Sequence, residues 1–318
     1  MSRSARVSFC MIVRNGSATL PECLRSVAAL CDELILVDSG SDDDSAEIAR
    51  SFGAKVIHTR WPDDFSAARN VYLEHARCPW VLSLDADEVL SDVDKDDFIR
   101  ALEGHPTTAF LLPIRHYFAD GDVPEPTLPS KLHREAPPGP PYMATTIVRL
   151  FPRLSGMRYC YPVHESVVPA IQRAGLRVGH CAIPIRHMGY LNARKDSHAK
   201  FALYRSLGEK KIVEFPEYFL GYVELGKVYL HARELGAAAR MFVQAIRLAP
   251  RCVEAHYFLA LTLLRQSRYA ECGQLLRSAR RRFPANSDIR QIVNLFRRET
   301  QAIPADVSSM PISSRPIQ

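Results

Sequence analysis

The sequence predicts an α/β domain with a mostly parallel, Rossmann-like sheet, followed by an all-α domain of helical repeats. Three observations carry this prediction. Short apolar runs alternate with amphipathic stretches over the first hundred residues. The fourth run, Trp80-Val-Leu-Ser-Leu84, ends in two carboxylates two positions apart, Asp85-Ala86-Asp87. Prolines recur at 216, 250 and 284, one every 34 residues, a period that marks stacked helix pairs.

Val7–Val13 reads as a buried first strand rather than a signal peptide. It is short and lacks a small-residue cleavage site. A helix follows, with Leu20, Leu24, Val27 and Leu30 at helical spacing and Pro21 near its start. Leu34–Val37 is the second strand. Ser41-Asp42-Asp43-Asp44 supplies a cap hydroxyl and acidic residues for a helix over 45–52, which Gly53 stops. Lys55–His58 is the third strand, Phe65–Arg77 a helix and Trp80–Leu84 the fourth strand. Near-continuous apolar strands joined by helices predict a parallel sheet covered on both faces.

Residues 105–190 are dense in proline, with short strand-like runs at Ala109–Ile114 and Thr146–Phe151 between long loops. Long loops in a compact domain are usually binding elements. From about 191 the pattern is helical. Tyr222, Leu225, Gly226, Tyr229, Ala238, Phe242, Ala245 and Pro250 match the tetratricopeptide pattern, and His256 to Pro284 repeats it more loosely. Gly226, Ala238, Ala260 and Cys272 are small enough for paired helices to approach closely. Flanking helices over Lys195–Val213 and Asp288–Thr300 are expected to cap the repeats. The expected domains are therefore 1–190, divided into a nucleotide-binding half (1–104) and an acceptor and catalytic half (105–190), then 191–300, and a disordered Ser/Pro-rich tail at 301–318.

The 318 residues are 47% hydrophobic and 24% charged, ordinary for a water-soluble protein. No apolar run reaches the roughly 18 residues of a membrane span. The eight cysteines form no CxxC and no cluster, which fits reduced core thiols in a cytoplasmic protein rather than a disulfide framework. The net charge of +6 conceals an asymmetry: residues 1–100 hold 11 Lys+Arg against 18 Asp+Glu, and residues 201–318 hold 18 against 10. The basic part suits an anionic glycan, an acidic polypeptide or peripheral contact with anionic lipid at the inner membrane. No nucleic-acid-binding pattern is present.

Asp85 and Asp87 end a strand at the carboxyl edge of an α/β sheet, where hard oxygen ligands suit a Mg²⁺ or Mn²⁺ holding a diphosphate. A solvated acidic loop is the alternative. Asp38 ends the second strand and can accept from a base or a ribose, or can form the turn before Gly40. Asn15 ends the first strand at the same edge. Arg69 can pair with a phosphate, or brace Asp85 or Asp87. Glu165 follows His164, and His187 opens His187-Met-Gly-Tyr190. A carboxylate in a pocket can be a general base, and a histidine can join a mixed oxygen/nitrogen metal shell.

Taken together, these stretches resemble family-2 glycosyltransferases of GT-A fold, in particular bacterial members fused to tetratricopeptide-like repeats. The resemblance rests on Cys10-Met-Ile-Val-Arg-Asn15, Asp32 to Asp42, Asp64-Phe-Ser-Ala-Ala-Arg-Asn70, Trp80 to Glu88, Arg149-Leu-Phe151, His164-Glu165, His187-Met-Gly-Tyr190 and the repeats. It implies a UDP-sugar donor, a divalent cation and inversion at the anomeric carbon. It further implies that Asp38 contacts uracil or ribose, Arg69 orders the diphosphate side, and Asp87 ligates the metal. Asp85 would bind the ribose, or the metal through water. Glu165 would be the base and His187 a further metal ligand. The acceptor would be a glycan, a lipid-linked glycan or a polypeptide, with the repeats as a docking surface for it or for a protein partner. One departure stands out: Gly16 follows Asn15 where the family often has Glu.

Three other readings compete. An NAD(P) enzyme is disfavoured because no GxGxxG follows the first strand. A metal-dependent phosphohydrolase would want Ser or Thr four residues after its first Asp, where Val89 stands, and its motif on the first strand. A repeat-based adaptor with a degenerate transferase domain is the remaining alternative.

Overall fold

The protein is described from a computed structural model covering residues 6–123, 126–136, 139–189 and 198–301. It divides into two compact units, Met1–Thr127 with Lys131–Phe215, and Leu128–Ser130 with Pro216–Gln318. The tail expected at 301–318 lies, beyond Gln301, outside the described residues.

The first unit is built on a ten-stranded sheet: β1 (Val7–Val13), β2 (Glu33–Asp38), β3 (Lys55–His58), β4 (Trp80–Ser83), β5 (Glu88–Leu90), β6 (Thr108–Tyr117), β7 (Leu132–Arg134), β8 (Pro141–Pro152), β9 (Arg177–His180) and β10 (Ile185–His187). The main path runs β3-β2-β1-β4-β8-β6-β10-β5, with β7 beside β8 and β9 beside β6. The β3-β2-β1-β4 half is parallel throughout. Beyond it the sheet is mixed, because β8 pairs antiparallel with β4 and β6, and β5 antiparallel with β10. The expected GT-A-type arrangement is thus present, with its antiparallel part in the proline-rich segment.

Alternation along β1 explains the two-sided core. Phe9 and Met11 join Leu20, Leu24 and Val27 of α1 (Leu20–Ala28) and Phe98 and Leu102 of α4 (Lys95–Glu103). On the other face Cys10 joins Tyr72 and Ala76, at the end of α3 (Phe65–His75), with Phe151 of β8 and Ile171 of α5 (Val168–Arg173). Truncating a side chain as enclosed as Leu24 to Ala costs about 2–5 kcal/mol. Pro21 sits in the first turn of α1, and Asp64 caps α3 by accepting from Ala67 N at 2.9 Å. Helix α2 (Ser45–Ser51) ends at Gly53, whose φ of +79° confirms it as the stop. The expected Ser41 cap is not made: Asp44 holds the cap position without a side-chain bond.

In the second unit, helices Phe219–His231, Leu235–Leu248, Val253–Arg265, Tyr269–Arg282 and Ser287–Gln301 follow one another. The repeat is visible in the backbone: left-handed turns recur at Arg233 (φ 60°) and Ser267 (φ 57°). A Cβ at Gly226 would lie 2.6 Å from the Phe242 ring, so the small residue is needed for the close approach that the sequence predicts. Ser287–Gln301 covers the end of the repeats with Ile289, Ile292 and Val293 buried, as expected of a cap. The other expected cap differs. Helix His198–Glu214 belongs to the first unit, where buried Lys211 donates from Nζ to Val163 O at 2.9 Å. The division at Phe215 therefore falls later than the expected boundary at 190. Lys195 lies outside the described residues.

Candidate active site

The carboxyl ends of β1, β2 and β4 form one edge, as parallel pairing requires. At this edge the loops after β1 and β2 are stitched together. Asn15, with φ of 53°, donates from N to Ser41 Oγ at 3.0 Å and accepts from Asp42 N at Oδ1, 2.8 Å. Gly16 N donates to Ser45 Oγ at 2.9 Å. Asp38 is 2% exposed, and its Oδ1 accepts from Gly40 N and Ser41 N at 3.1 and 2.9 Å. Asp38 thus shapes the turn before Gly40, with Oδ2 facing His58 Nδ1 at 3.4 Å. A Cβ at Gly16 would lie 2.9 Å from Val13 Cγ2 and 3.1 Å from Ala86 Cβ. Glycine at this position is the residue that lets the Asp85-Ala86-Asp87 turn close over the end of β1.

Asp85 is clamped by two arginines. Arg69 Nη2 donates to its Oδ1 at 2.5 Å and Arg149 Nη2 to its Oδ2 at 2.8 Å. Arg69 is 3% exposed and spends its other groups on Glu165 Oε1, from Nε, and on Ser83 Oγ at 3.1 Å. In this structure it braces Asp85 and Glu165. Arg149 Nη2 also donates to buried Glu88 Oε1 at 2.6 Å. Burial works to raise the Asp85 carboxyl, but Arg149 and Arg69 outweigh it and hold it well below the usual range. Burial prevails at Glu88, whose carboxyl is raised despite Arg149.

Glu165 sits in a loop closed by paired bonds of 2.9 Å between Cys160 and Ser166. Inside the loop Tyr161 and His164 have left-handed φ values of 78° and 48°. Arg69, from α3, and Lys211 each hold this loop in place. The result is a carboxylate 12% exposed, fixed on the same guanidinium as Asp85.

Asp87 and His187 meet because β5 and β10 pair antiparallel with Glu88 opposite His187, and Met188 N donates to Asp87 O at 3.2 Å. His187 Nε2 lies 3.1 Å from Asp87 Oδ2, and both side chains keep partial exposure. Burial disfavours a charged His187, but the Asp87 bond outweighs it and raises the imidazole above its ordinary pKa. On its other side, His187 Nδ1 faces His116 Nδ1 at 2.9 Å. Burial, then the neighbouring His187 and Arg149, lower His116 to about 3.

Asp87 and His187 fit a divalent cation as a partial shell. Their hard oxygen and imidazole nitrogen point to one place, and Gly189 leaves it open: a Cβ there would press on Asp87 Oδ2 and lie 2.8 Å from His187 Nε2. Among the described residues no three His, Cys, Asp or Glu side chains form a ready-made cage. Mg²⁺-type sites commonly take one or two protein ligands and complete the shell with substrate phosphates and water. Tyr190 of the predicted stretch lies outside the described residues.

Sequence reasoning assigned no role to Arg149, Glu88, His116 or Thr145. A signal existed for two of them, since Arg149 and His116 interrupt otherwise apolar runs. None of the eight cysteines is in a disulfide, and burial pushes the Cys272 thiol up to about 12, which makes it a poor nucleophile.

Residues 8–156 match the family described as Glycosyl transferase family 2, and residues 223–287 match Tetratricopeptide repeat. A TPR repeat-containing protein of Synechococcus elongatus is 34% identical over 249 residues, covering 76% of this chain and 57% of that protein. The SPbeta prophage-derived glycosyltransferase SunS of Bacillus subtilis is 36% identical over 87 residues, covering 27% of this chain and 21% of SunS. The chain thus spans little more than half the length of the first of these relatives and about a fifth of the second. Among solved structures, S. aureus TarS 1-349 superposes with a TM-score of 0.46 at 14% identity, covering 94% of this chain and 93% of that chain. The chain carries a family-2 glycosyltransferase domain, residues 8–156, followed by tetratricopeptide repeats over residues 223–287.

Proposed function

We propose that this protein is an inverting, divalent-cation-dependent glycosyltransferase that moves a sugar from a UDP-sugar to a nucleophile, typically a hydroxyl, on an acceptor. The observation that carries the reading is the Asp87–His187 pair beside Gly189 at a sheet edge, in which Asp87 lies within the family-2 match of residues 8–156 and His187 beyond it. Asp87 and His187 would hold Mn²⁺ or Mg²⁺, which supplies charge neutralisation for the departing diphosphate. Asp85, fixed by two arginines, keeps a partly exposed carboxylate that can accept from a ribose hydroxyl. Asn15 and Asp38 shape the loops that would bound the base.

Glu165 accepts the acceptor's proton. As the acceptor oxygen bonds to the anomeric carbon, the bond from that carbon to the phosphate oxygen breaks on the opposite face, and UDP leaves. Holding Glu165 and Asp85 on one guanidinium fixes base and donor site relative to each other, and such positioning is a large part of catalysis for displacements of this kind. The acceptor is a polypeptide, a glycan or a lipid-linked glycan, and the repeats are proposed to dock it or a protein partner. A cytoplasmic location belongs to the same proposal, with peripheral contact at the inner membrane for a lipid-linked acceptor. The lack of any disulfide among the described cysteines supports it.

Calorimetric titration with UDP, in Mn²⁺ and then in chelator, tests the donor site. Cation-dependent binding that Asp87→Ala abolishes is expected. Equal binding without the cation, or none at all, would remove the proposed site and leave the adaptor reading. Release of inorganic phosphate from a simple phosphomonoester would favour the phosphohydrolase.

A further inference from the structure

We infer that Lys211 is a positioning residue for Glu165: it fixes the loop that carries this carboxylate, and does so from a helix beyond the family-2 match of residues 8–156. The inference rests on the proposed reading of Glu165 as the base, but the contacts behind it stand independently. Residues 161–165 run between the paired Cys160 and Ser166. Two of them, Tyr161 and His164, hold left-handed φ values of 78° and 48°, a conformation that side chains disfavour and that neighbours must enforce. From one side α3 enforces it. Phe65 N donates to Pro162 O at 2.9 Å, and Arg69 Nε donates to Glu165 Oε1.

From the other side the grip comes from the helix His198–Glu214. Lys211 is fully buried, donates from Nζ to Val163 O at 2.9 Å, and sets Nζ 4.7 Å from the centre of the Tyr161 ring. Phe215 N bonds to Lys211 O at 2.9 Å and so extends the last helical turn, and the Phe215 ring meets Tyr161 edge-on at 4.8 Å. Tyr204 meets His164 edge-on at 5.7 Å. Positions 204, 211 and 215 are spaced by seven and four, so one stripe of the helix faces the loop. The same helix steadies the opposite anchor, since Lys210 Nζ lies 3.8 Å from Oδ2 of Asp64, the cap of α3. Every residue from 161 to 165 is thus held by α3 or by this helix. Burying an ammonium is costly unless it is paired. Here a charge-assisted bond to a backbone carbonyl and the face of an aromatic ring offset that cost, and both contacts act on the loop. Removing Nζ takes this donor from the Val163 carbonyl and releases Tyr161 from its left-handed conformation. Glu165 then keeps Arg69 but loses the backbone that aims it.

Lys211→Met, which keeps the length of the stem and removes the charged donor, tests this on the full chain in two ways. Hydrogen–deuterium exchange over residues 158–167, read by mass spectrometry, should quicken by about 10-fold or more, the scale of one lost charge-assisted hydrogen bond, while β1 exchanges as in wild type. UDP release from a UDP-sugar, with water as the acceptor, should fall about 100-fold in kcat, with UDP affinity by calorimetry unchanged. In a Glu165→Gln background the same substitution should cost nothing further, because residues that act as a unit do not add. An equal kcat loss in both backgrounds, or a loss of UDP affinity that matches the loss of kcat, makes Lys211 merely structural and overturns the inference. Unchanged exchange over 158–167 overturns it as well. Should Lys211→Met not fold, Tyr204→Leu carries the same cycle from the same stripe of the helix, with the same pattern expected at smaller amplitude and the same results overturning it. If wild type releases no UDP from any donor, the base reading of Glu165 fails, and exchange alone decides whether Lys211 holds the loop.

Discussion

Arg149 Nη2 lies 2.8 Å from Asp85 Oδ2, joining β8 to the turn after β4 across 64 residues of sequence. The same nitrogen holds Glu88, so one buried cation serves two carboxylates. Removing one member of a buried ion cluster strands its partners, at about 3–5 kcal/mol. Arg149→Met should destabilise the first unit by that order in urea denaturation. Adding Glu88→Gln should recover part of the loss, since the stranded carboxylate is then gone. Strictly additive losses would mean that the two residues are not coupled.

Arg69 holds Asp85 and Glu165 from one planar guanidinium. Lysine keeps the charge but cannot fork to both carboxylates. Asp85 retains Arg149 in that variant, whereas Glu165 loses its anchor. Arg69→Lys should therefore lower kcat by about 100-fold, the scale of a misplaced reacting group, with a smaller change in UDP affinity. Steady-state kinetics beside calorimetry separates the two, and equal losses would count against a base held by Arg69.

The glycine after Asn15 is a packing requirement as much as a departure from the family pattern. A side chain there meets Val13 and Ala86. Gly16→Glu should cost about 1–3 kcal/mol of stability, as overpacking does, and should weaken UDP binding by displacing the turn that carries Asp87. A gain in turnover on this substitution would instead identify Gly16 as a degenerate position.

Acid should loosen the loop beside this turn. Asp43 accepts from Ser17 N at 2.9 Å and Ser45 N at 3.0 Å. Partial burial works to raise its carboxyl, but the bonds from Ser45 and Ser17 outweigh it and lower it to about 2. A depressed carboxylate stabilises the fold above its ordinary pKa of about 3.9 and loses that contribution as pH falls through the folded value. Asp43→Asn should thus lower the melting temperature at pH 7, and the gap to wild type should narrow below about pH 4. A gap independent of pH would place the effect elsewhere.

Local patterns made much of this molecule legible. The four parallel strands, Pro21, Gly53, the 34-residue period and the Asp85-Ala86-Asp87 turn all express short-range rules, and all appear where the sequence puts them. Arg69's partners were harder to read, because Ser83, Asp85 and Glu165 reach it from separate elements up to 96 residues away. Arg149 and His116 depend on how β8 and β10 enter the sheet, and nothing in their own neighbourhoods fixes that pairing. The turn that Asp38 makes with Gly40 and Ser41 was legible from its place before Gly40.

The account rests on Asp87 and His187 serving a nucleotide-sugar reaction. UDP release from a panel of UDP-sugars, with Mn²⁺ and with chelator, tests this most directly in wild type and Asp87→Ala. The account predicts cation-dependent release from at least one donor, reduced by at least about 100-fold in the variant, beyond the cost of losing a residue that only orients a metal ligand. Release unaffected by chelator and by Asp87→Ala, or no release from any donor, would contradict it.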